Sequence, residues 1–242
     1  MEEKQQVEMK IPTHLAVILD GNGRWAKKHH VLRTFGHHKG AITLKNISEA
    51  AFNMGVKIFS AYCFSTENWK RSKDEVDYLF SLPFEFFTKY LKKALKDDVK
   101  IIFSGDISAL PEKTYQVCLD AMKQTENCKS HILNVCFNYG SHDEITKACK
   151  EIASDVKDNK ISLDDINPQL IENHLYTKGL EPVDLLIRTS NEQRISNFLL
   201  WQISYAEIIF SKVLWPDFSK QDLVEAFEEF ARRDRRFGGR KS

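Results

Sequence analysis

The segment LAVILDGNG, residues 15–23, joins a run of five apolar residues to Asp20 and a glycine-rich turn. An apolar run without polar alternation is typical of a strand that is buried on both faces, as in a parallel sheet. The Asp-Gly and Asn-Gly pairs favour a tight turn, and the residues from Trp25 onward have a helical pattern. The segment therefore predicts a buried strand whose carboxyl end leads directly into a helix.

The same alternation of strand and helix continues along the chain. Further strands are predicted at 56–64, 99–103, 132–137, 185–187 and 208–210. Helices are predicted at 41–53, 75–97, 112–127, 143–157 and 168–175, with a last helix capped by Ser219 and Asp222. This pattern predicts an α/β single domain with a central mostly parallel sheet flanked by helices. We expect residues 1–12 to be a flexible N-terminal tail and residues 13–242 to form that domain.

Composition limits the classes of function. Of the 242 residues, 42% are hydrophobic, so the chain can bury a substantial core. The 35 Lys and Arg residues nearly balance the 34 Asp and Glu residues, and the net charge of +1 argues against nucleic acid as a partner. Five cysteines without a C-x-x-C pair indicate a reducing compartment, and the charged amino terminus is unlike a signal peptide. Since no apolar run has membrane-spanning length, we expect a cytoplasmic protein.

The first candidate site is the turn after the first strand, residues 20–25. Glycines between a strand and a helix expose backbone N–H groups that can hold a phosphate. The turn also matches the G-x-G-x-x-A dinucleotide fingerprint, which expects an acidic residue about 20 residues later, at the end of the next strand. Here the next strand ends at residues 64–65, far beyond that spacing. An aspartyl phosphatase would need an acid at Asn22, and an ordinary Asp-Gly turn is a further alternative. A carboxylate beside a diphosphate requires a bridging cation, so Asp20 favours Mg²⁺.

Two further segments carry side chains suited to a phosphorylated substrate. Arg33 and His37 are four residues apart, so on one helix they would share a face and could both donate to phosphate. The polar loop 65–71 holds a tryptophan among hydroxyl, acid, amide and guanidinium groups, which suggests substrate positioning. A solvated basic helix start and an ordinary connecting loop are the alternatives for these segments.

A last group of candidate site residues follows the strand at 185–187. Arg188, Arg194 and Ser196 lie in a turn-rich segment, and two guanidinium groups with a hydroxyl resemble a second diphosphate site. Glu207 follows an apolar run and is either a solvated residue or part of a metal site. Because ligands bind outside the carboxyl ends of strands in such sheets, we expect the segments after the strands to converge.

Five blocks of the sequence together resemble the cis-prenyltransferases, in that family's order. They are LAVILDGNGRWA (15–26), RTFGHHKG (33–40), FSTENWKR (64–71), RTSNEQRISNFLLWQISYAE (188–207) and LWPDF (214–218). Within the family, the sequence is most similar to the bacterial enzymes that make undecaprenyl diphosphate, the precursor of the lipid carrier for cell-wall synthesis. The resemblance implies that the chain adds successive isopentenyl diphosphates to an allylic diphosphate, usually farnesyl diphosphate, and forms cis double bonds.

The resemblance also assigns roles to individual residues. Asp20 would be the catalytic aspartate that binds Mg²⁺, with Glu207 as a second magnesium ligand. Asn68 would act in proton removal, but an amide has no useful basicity near neutral pH, so we expect it to orient a water or phosphate oxygen. The allylic diphosphate would be held by Gly21, Asn22, Gly23, Arg24, Arg33 and His37, with Trp25 at the border of that site. Substrate would be positioned by Ser65, Thr66, Glu67, Trp69 and Arg71, and isopentenyl diphosphate would be bound by Arg188, Arg194, Ile195 and Ser196.

The growing hydrocarbon chain requires an apolar tunnel, which we place between the aromatic residues of 78–90 and the strand at 132–137. The family further implies a homodimer, a basic tail at residues 232–239 that reaches the substrate and the dimer interface, and a peripheral membrane contact for product release.

The sequence departs from the family's usual pattern at a few positions. Asn191 takes the place of a common glycine, Ser72 that of a proline, and Ser141-His142 that of Gly-Arg. None of these removes a charge from the diphosphate sites, but they leave the product length open, so a shorter-chain cis-prenyltransferase is an alternative. A non-catalytic partner subunit is another, and it predicts loss of the Asp and Arg set that this sequence retains.

Overall fold

The structure, a computed structural model, describes residues 10–234. Its strands are β1 (His14–Ile18), β2 (Ile58–Ser65), β3 (Val99–Ser104), β4 (His131–Tyr139), β5 (Leu185–Arg188) and β6 (Glu207–Phe210). Its helices are α1 (Asn22–Lys28), α2 (Arg33–Asn53), α3 (Lys73–Lys96), α4 (Glu112–Gln124), α5 (Ser141–Lys157), α6 (Pro168–His174) and α7 (Lys220–Arg232). Residues 1–9 of the expected tail, and residues 235–239 of the basic tail, lie outside the described residues.

The six strands form one sheet in the order β3-β4-β2-β1-β5-β6. Every pairing in this sheet is parallel. The carboxyl ends of the strands therefore meet at one edge: Ile18 of β1 lies in register with Tyr62 on one side and with Arg188 on the other. The predicted single α/β domain is confirmed, with a sheet that is parallel throughout.

Both faces of the sheet are covered by side chains, one of them mainly by helices. On one face, side chains of α2, α3, α4 and α7 pack with alternate residues of the strands into the larger hydrophobic cluster, which includes Leu44, Leu79, Cys118 and Phe227. On the other face, Tyr139 and the segment around Phe198, Leu199 and Ile203 form a smaller cluster. Burial on both faces is the reason that the strands read as continuous apolar runs.

Helix α2 starts eight residues before the predicted position at residue 41, because two glycines in its first turns serve close packing. A Cβ atom on Gly36 would lie 2.1 Å from the backbone oxygen of Asn22, and one on Gly40 would lie 2.3 Å from the Asn22 Oδ1. These glycines let α1 and α2 approach each other, so they do not interrupt the helix. Among residues 10–234, no helix combines the length and the apolar character needed to cross a membrane.

Candidate active site at the carboxyl edge of the sheet

A cavity of about 820 Å³ opens at the carboxyl edge of the sheet. Its wall is built by the segments that follow β1, β2 and β5 together with α2 and α3. Most of the site residues predicted from the sequence line it, namely Asp20, Gly21, Asn22, Gly23, Arg24, Arg33, His37, Ser65, Asn68, Arg71, Arg188, Arg194 and Ser196. The expected convergence of distant segments is therefore present.

Asp20 lies between two guanidinium groups. One carboxylate oxygen is 3.1 Å from Nη2 of Arg24, and the other accepts a hydrogen bond from Nη2 of Arg188 at 2.9 Å. The hydroxyl of Thr189 donates to the Asp20 backbone oxygen at 2.7 Å, which joins the turn after β1 to the end of β5. Gly21 is required here, because its φ of 113° is in the left-handed region and a Cβ would lie 2.6 Å from Oγ of Ser190.

The segment after β5 presents the second set of predicted groups. Nη1 of Arg188 donates to the Arg194 backbone oxygen and to Oγ of Ser196, both at 2.6 Å. Glu192, which the sequence analysis missed, pairs with Arg24 at 3.0 Å and also with Arg194. Several non-glycine residues of this segment have positive φ, including Asn191 at 59°, so the backbone conformation that a glycine would favour is kept.

Glu75 of α3 organises a second cluster on the opposite wall of the cavity. Its carboxylate accepts hydrogen bonds from Arg33 at 3.1 Å and from Arg71 at 2.9 Å, and it lies 3.1 Å from Nε2 of His37. Burial lowers the pKa of His37, and the hydrogen bond to Glu75 offsets this only in part. Burial would raise the pKa of Glu75, but the hydrogen bond from His37 and the charge of Arg71 outweigh it and hold the pKa below its usual range. Glu75 is therefore ionised beside two guanidinium groups.

The segment 65–71 is a capped 3₁₀ turn. The side chain of Asn68 accepts a hydrogen bond from the Ser65 backbone N–H at 3.1 Å, which leaves its NH₂ group as the free donor. Trp69 packs edge-on against Phe64 and Phe80, and its Nε1 donates to Asn138 at 2.8 Å. This packing explains why a tryptophan stands in an otherwise polar segment.

Six predicted site residues do not line the cavity. Trp25 stacks on His29 and donates to Asp217, whereas Ile195 packs in the smaller hydrophobic cluster. Trp69 and Glu207 also lie outside the lining. So do Thr66, which donates a hydrogen bond to Asp143, and Glu67, which accepts one from Asn197. Apart from Glu207, these residues lie in or next to the segments that carry the lining groups.

Glu207 is at the other end of the sheet. It begins β6 and lies in register with Leu185, three residues before Arg188, which places it about 10 Å along the strands from the edge that carries Asp20. Its carboxylate pairs with Arg233 at 2.9 Å. Within one chain, the structure does not bring Glu207 to Asp20.

The inner half of the cavity is apolar. It lies between α2, α3 and the sheet and is lined by Leu44, Leu79, Leu82, Pro83, Phe86, Phe87, Val135 and Phe137. Of the predicted aromatic residues of α3, only Phe86 and Phe87 face this space, while Phe80 packs in the core against Phe64 and Phe137. A second cavity of about 300 Å³ lies beyond and shares Phe86 and Phe87 as its wall.

The donor set around Asp20 fits a magnesium ion that is shared with a substrate. Within residues 10–234 there is no group of three or more His, Cys, Asp or Glu residues that could enclose a metal. Mg²⁺ commonly binds through one or two carboxylates together with substrate phosphates and waters, so a single carboxylate in a phosphate-binding cavity suffices.

Comparison with known proteins places this architecture in a family. A family model described as "Putative undecaprenyl diphosphate synthase" matches residues 18–238. An isoprenyl transferase of Lactobacillus johnsonii is 49% identical over 96% of this chain and 98% of its own. A ditrans,polycis-undecaprenyl-diphosphate synthase, (2E,6E)-farnesyl-diphosphate specific, of Lactiplantibacillus plantarum is 46% identical over 95% of this chain and 90% of its own.

A solved structure agrees. Lavandulyl diphosphate synthase from Lavandula x intermedia, crystallised with dimethylallyl diphosphate, superposes with a TM-score of 0.91 at 34% identity, over 94% of this chain and 98% of that one. The chain thus belongs to the undecaprenyl diphosphate synthase family of prenyl-transferring enzymes.

Proposed function

We propose that the chain condenses isopentenyl diphosphate with an allylic diphosphate, farnesyl diphosphate, in repeated cis additions that yield undecaprenyl diphosphate. The observation that carries this proposal is one cavity with two arginine-containing clusters at its mouth and an apolar inner half. Diphosphate groups require the first feature and a growing hydrocarbon chain requires the second. The names of the Lactobacillus johnsonii and Lactiplantibacillus plantarum relatives support the same reaction.

The arginines of the cavity divide the substrates between them, with Asp20 between the two groups. The turn after β1, with Arg24, Arg33 and His37, would hold the allylic diphosphate next to the apolar half. Arg188, Arg194 and Ser196 would hold isopentenyl diphosphate on the other side of Asp20. The lavandulyl diphosphate synthase crystallised with dimethylallyl diphosphate supports an allylic diphosphate in this fold.

In the reaction, the allylic C–O bond breaks and diphosphate leaves with the electron pair. The isopentenyl double bond forms the new C–C bond to the allylic carbon, and one proton is lost from the isopentenyl unit. Arg24, Arg33 and the backbone N–H groups after Gly21 stabilise the charge on the leaving group. Asn68, whose oxygen already accepts from Ser65, orients a phosphate or water oxygen by donating from its NH₂ group.

Asp20 would hold Mg²⁺, together with phosphate oxygens. When bound, the ion supplies positive charge that lowers repulsion between the diphosphates and the carboxylate. Glu207 as a second ligand does not agree with its position at the opposite edge of the sheet, so we assign the ion to Asp20 alone within one chain.

Incubation with farnesyl diphosphate, labelled isopentenyl diphosphate and Mg²⁺, followed by sizing of the lipid product, tests the proposal. We expect labelled polyprenyl diphosphate that disappears when EDTA is added. No incorporation under any divalent metal would overturn it.

A shorter product is the second candidate, because the lavandulyl diphosphate synthase that shares this fold is named for a short one. Product length separates the two candidates. A non-catalytic subunit is disfavoured because Asp20 and four arginines of the expected set lie in one cavity: Arg24, Arg33, Arg188 and Arg194.

We further propose a cytoplasmic homodimer that touches the membrane peripherally. The cysteines are free thiols, as in proteins of reducing compartments. Light scattering coupled to gel filtration checks the dimer, which predicts twice the 28.1 kDa mass of the chain.

A further inference from the structure

Residues 21–48 are strongly biased in charge. This stretch contains six Lys and Arg residues and four of the eight His residues, and it lacks Asp and Glu altogether. The whole chain carries a net charge of only +1, so the positive charge is concentrated here. Arg24 and Arg33 of this stretch line the cavity, whereas Lys28 and Lys39 are exposed and are not among its lining residues.

Large apolar side chains are exposed in the same stretch. Leu32, at the start of α2, is 71% exposed, Phe35 in the first turn is 59% exposed, and Val31 is 41% exposed. Val31 lines the cavity together with Lys27 and Arg33, and Leu32 and Phe35 are close to these residues along the chain. Large apolar side chains that are exposed together, beside the exposed Lys27, Lys28 and Lys39, mark an interaction surface.

We propose that this basic apolar rim, formed by Lys27, Lys28, Val31, Leu32, Phe35 and Lys39, docks the protein on an anionic phospholipid bilayer. Interfacial protein surfaces combine apolar side chains, which enter the headgroup and acyl boundary, with Lys and Arg, which attract anionic headgroups. The rim has both features, and residues 21–48 contain no Asp or Glu. The carboxylates beside it come from other elements: Glu85, 3.8 Å from His38, and Asp217, which accepts from Trp25.

The position of the rim suggests that docking serves release of the product. This part of the inference rests on the proposed function. The apolar half of the cavity would hold the hydrocarbon chain, and Val31 of the rim is an exposed residue that lines the same cavity. On a bilayer, a polyprenyl tail could leave the cavity for the acyl region without crossing water, where each exposed CH₂ group costs about 0.8 kcal/mol.

Co-sedimentation of the full chain with vesicles tests the inference. We expect binding to vesicles of phosphatidylglycerol and phosphatidylcholine, weak binding to phosphatidylcholine alone, and a loss of binding as salt increases. Leu32→Ser with Phe35→Ser should lower the partition coefficient at least about tenfold, and Lys28→Gln with Lys39→Gln should do so by a similar factor.

Matched variants elsewhere on the surface serve as controls. Leu163 is 72% exposed, close to the value for Leu32, and Lys129 and Lys157 are exposed lysines outside the rim. Leu163→Ser, and Lys129→Gln with Lys157→Gln, should leave vesicle binding within about twofold of the wild type. Equal losses in the control and rim variants, equal binding to both kinds of vesicle, or no binding by the wild type would each overturn the inference.

The test does not depend on turnover. Because the substituted rim residues lie outside the proposed catalytic groups, detergent-solubilised assays should show unchanged turnover in all four variants. If the protein turns over substrate but does not bind vesicles, only the inferred membrane surface is refuted. If the protein binds vesicles but does not incorporate isopentenyl diphosphate, only the proposed function is refuted.

Discussion

Glu75 and Asp20 are the two carboxylates around which the cationic side chains of the cavity are arranged. Asp20 pairs with Arg24 and Arg188, and Glu75 pairs with Arg33 and Arg71. In each case, the carboxylate holds guanidinium groups in place at the mouth of the cavity. Diphosphates would be bound by arginines that are already oriented, which lowers the entropy lost on binding.

Arg33→Ala and Arg194→Ala form a matched pair that tests the division of the substrates. Loss of a charge-assisted contact should raise KM roughly tenfold or more for the substrate that the arginine binds. We expect Arg33→Ala to act on the allylic diphosphate and Arg194→Ala on isopentenyl diphosphate, measured by varying each substrate in turn. The reverse pattern would exchange the two site assignments.

Individual site residues could be predicted from the sequence where they follow a strand. Asp20, Arg188 and Ser196 come together because parallel strands end at one edge, a rule that needs no coordinates. Glu75 could not be predicted in this way, since Arg33 lies 42 residues away and the helix that carries Glu75 does not follow a strand directly. Glu207 is the first residue of β6, so its place at the amino end of the strand, away from Asp20, follows from the order of the sequence.

At the scale of elements, the contact between α1 and α2 positions the turn that holds Asp20. Gly40→Ala would place a Cβ 2.3 Å from Oδ1 of Asn22 and 3.2 Å from the ring of Trp215. Overpacking of this kind typically costs about 1–3 kcal/mol, so we expect a lower free energy of unfolding in urea together with a marked loss of turnover.

Gly179→Ala is the control for Gly40→Ala. Gly179 has a φ of 80° but no atom near its Cβ position, so alanine there should reduce stability and leave turnover unchanged. Loss of stability without loss of turnover in Gly40→Ala as well would show that α1–α2 packing does not position the site.

Phe86 and Phe87 of helix α3 form the wall between the two cavities. Phe87 is 3% exposed, and Phe87→Ala should cost roughly 3–5 kcal/mol in stability. The same change would open the apolar half of the first cavity into the second, which is lined by both apolar and polar residues, so we expect longer products when the lipid is sized by chromatography. Phe84→Ala, at an exposed position of the same helix, should leave product length unchanged, and an identical product distribution in Phe87→Ala would contradict this assignment.

Secondary structure was largely predictable because strands buried on both faces leave continuous apolar runs. The start of α2 was not, because Gly36 and Gly40 read as helix breakers until their contacts with Asn22 are known. Similarly, the sequence of α3 suggests a single stripe of aromatic residues. Of these, only Phe86 and Phe87 line the cavity.

Across the whole molecule, a chain of buried polar side chains links four strands. His14 of β1 lies 2.7 Å from Ser60 of β2, which accepts from Asn134 of β4, and Asn134 accepts in turn from Ser104 of β3. Nδ1 of His14 lies 2.7 Å from the Glu181 carbonyl oxygen, which can only accept. Nδ1 therefore carries the proton, Nε2 accepts from Ser60, and the ring is neutral.

This network makes stability depend on pH. Burial lowers the pKa of His14 from 6.5 to about 4. The unfolded chain therefore takes up a proton first as the pH falls, so the contribution of His14 is complete above pH 6.5 and is lost progressively towards pH 4. Between pH 7 and pH 5 we expect urea unfolding to show a loss of roughly 2 kcal/mol that is absent in His14→Gln. Equal pH dependence in the two proteins would show that His14 is not the group responsible.

At the scale of the whole molecule, the single domain could be predicted from the sequence. The distribution of charge over the chain could not be predicted from the net charge alone. A value of +1 argues against nucleic acid as a partner, yet it averages over the basic stretch 21–48 and the acidic remainder. Only the exposure of Leu32 and Phe35 shows that this stretch forms a surface as well as part of the site.

The most direct measurement compares the wild type with Asp20→Ala in isopentenyl diphosphate incorporation across a Mg²⁺ titration. If Asp20 holds the ion between the carboxylate and the diphosphates, the variant should lose at least about 10³-fold in turnover, without rescue by excess Mg²⁺ and with a circular dichroism spectrum that shows the fold retained. Asp106→Ala, which removes a carboxylate outside the cavity near the same edge of the sheet, should retain full activity. Wild-type turnover by Asp20→Ala would contradict the account.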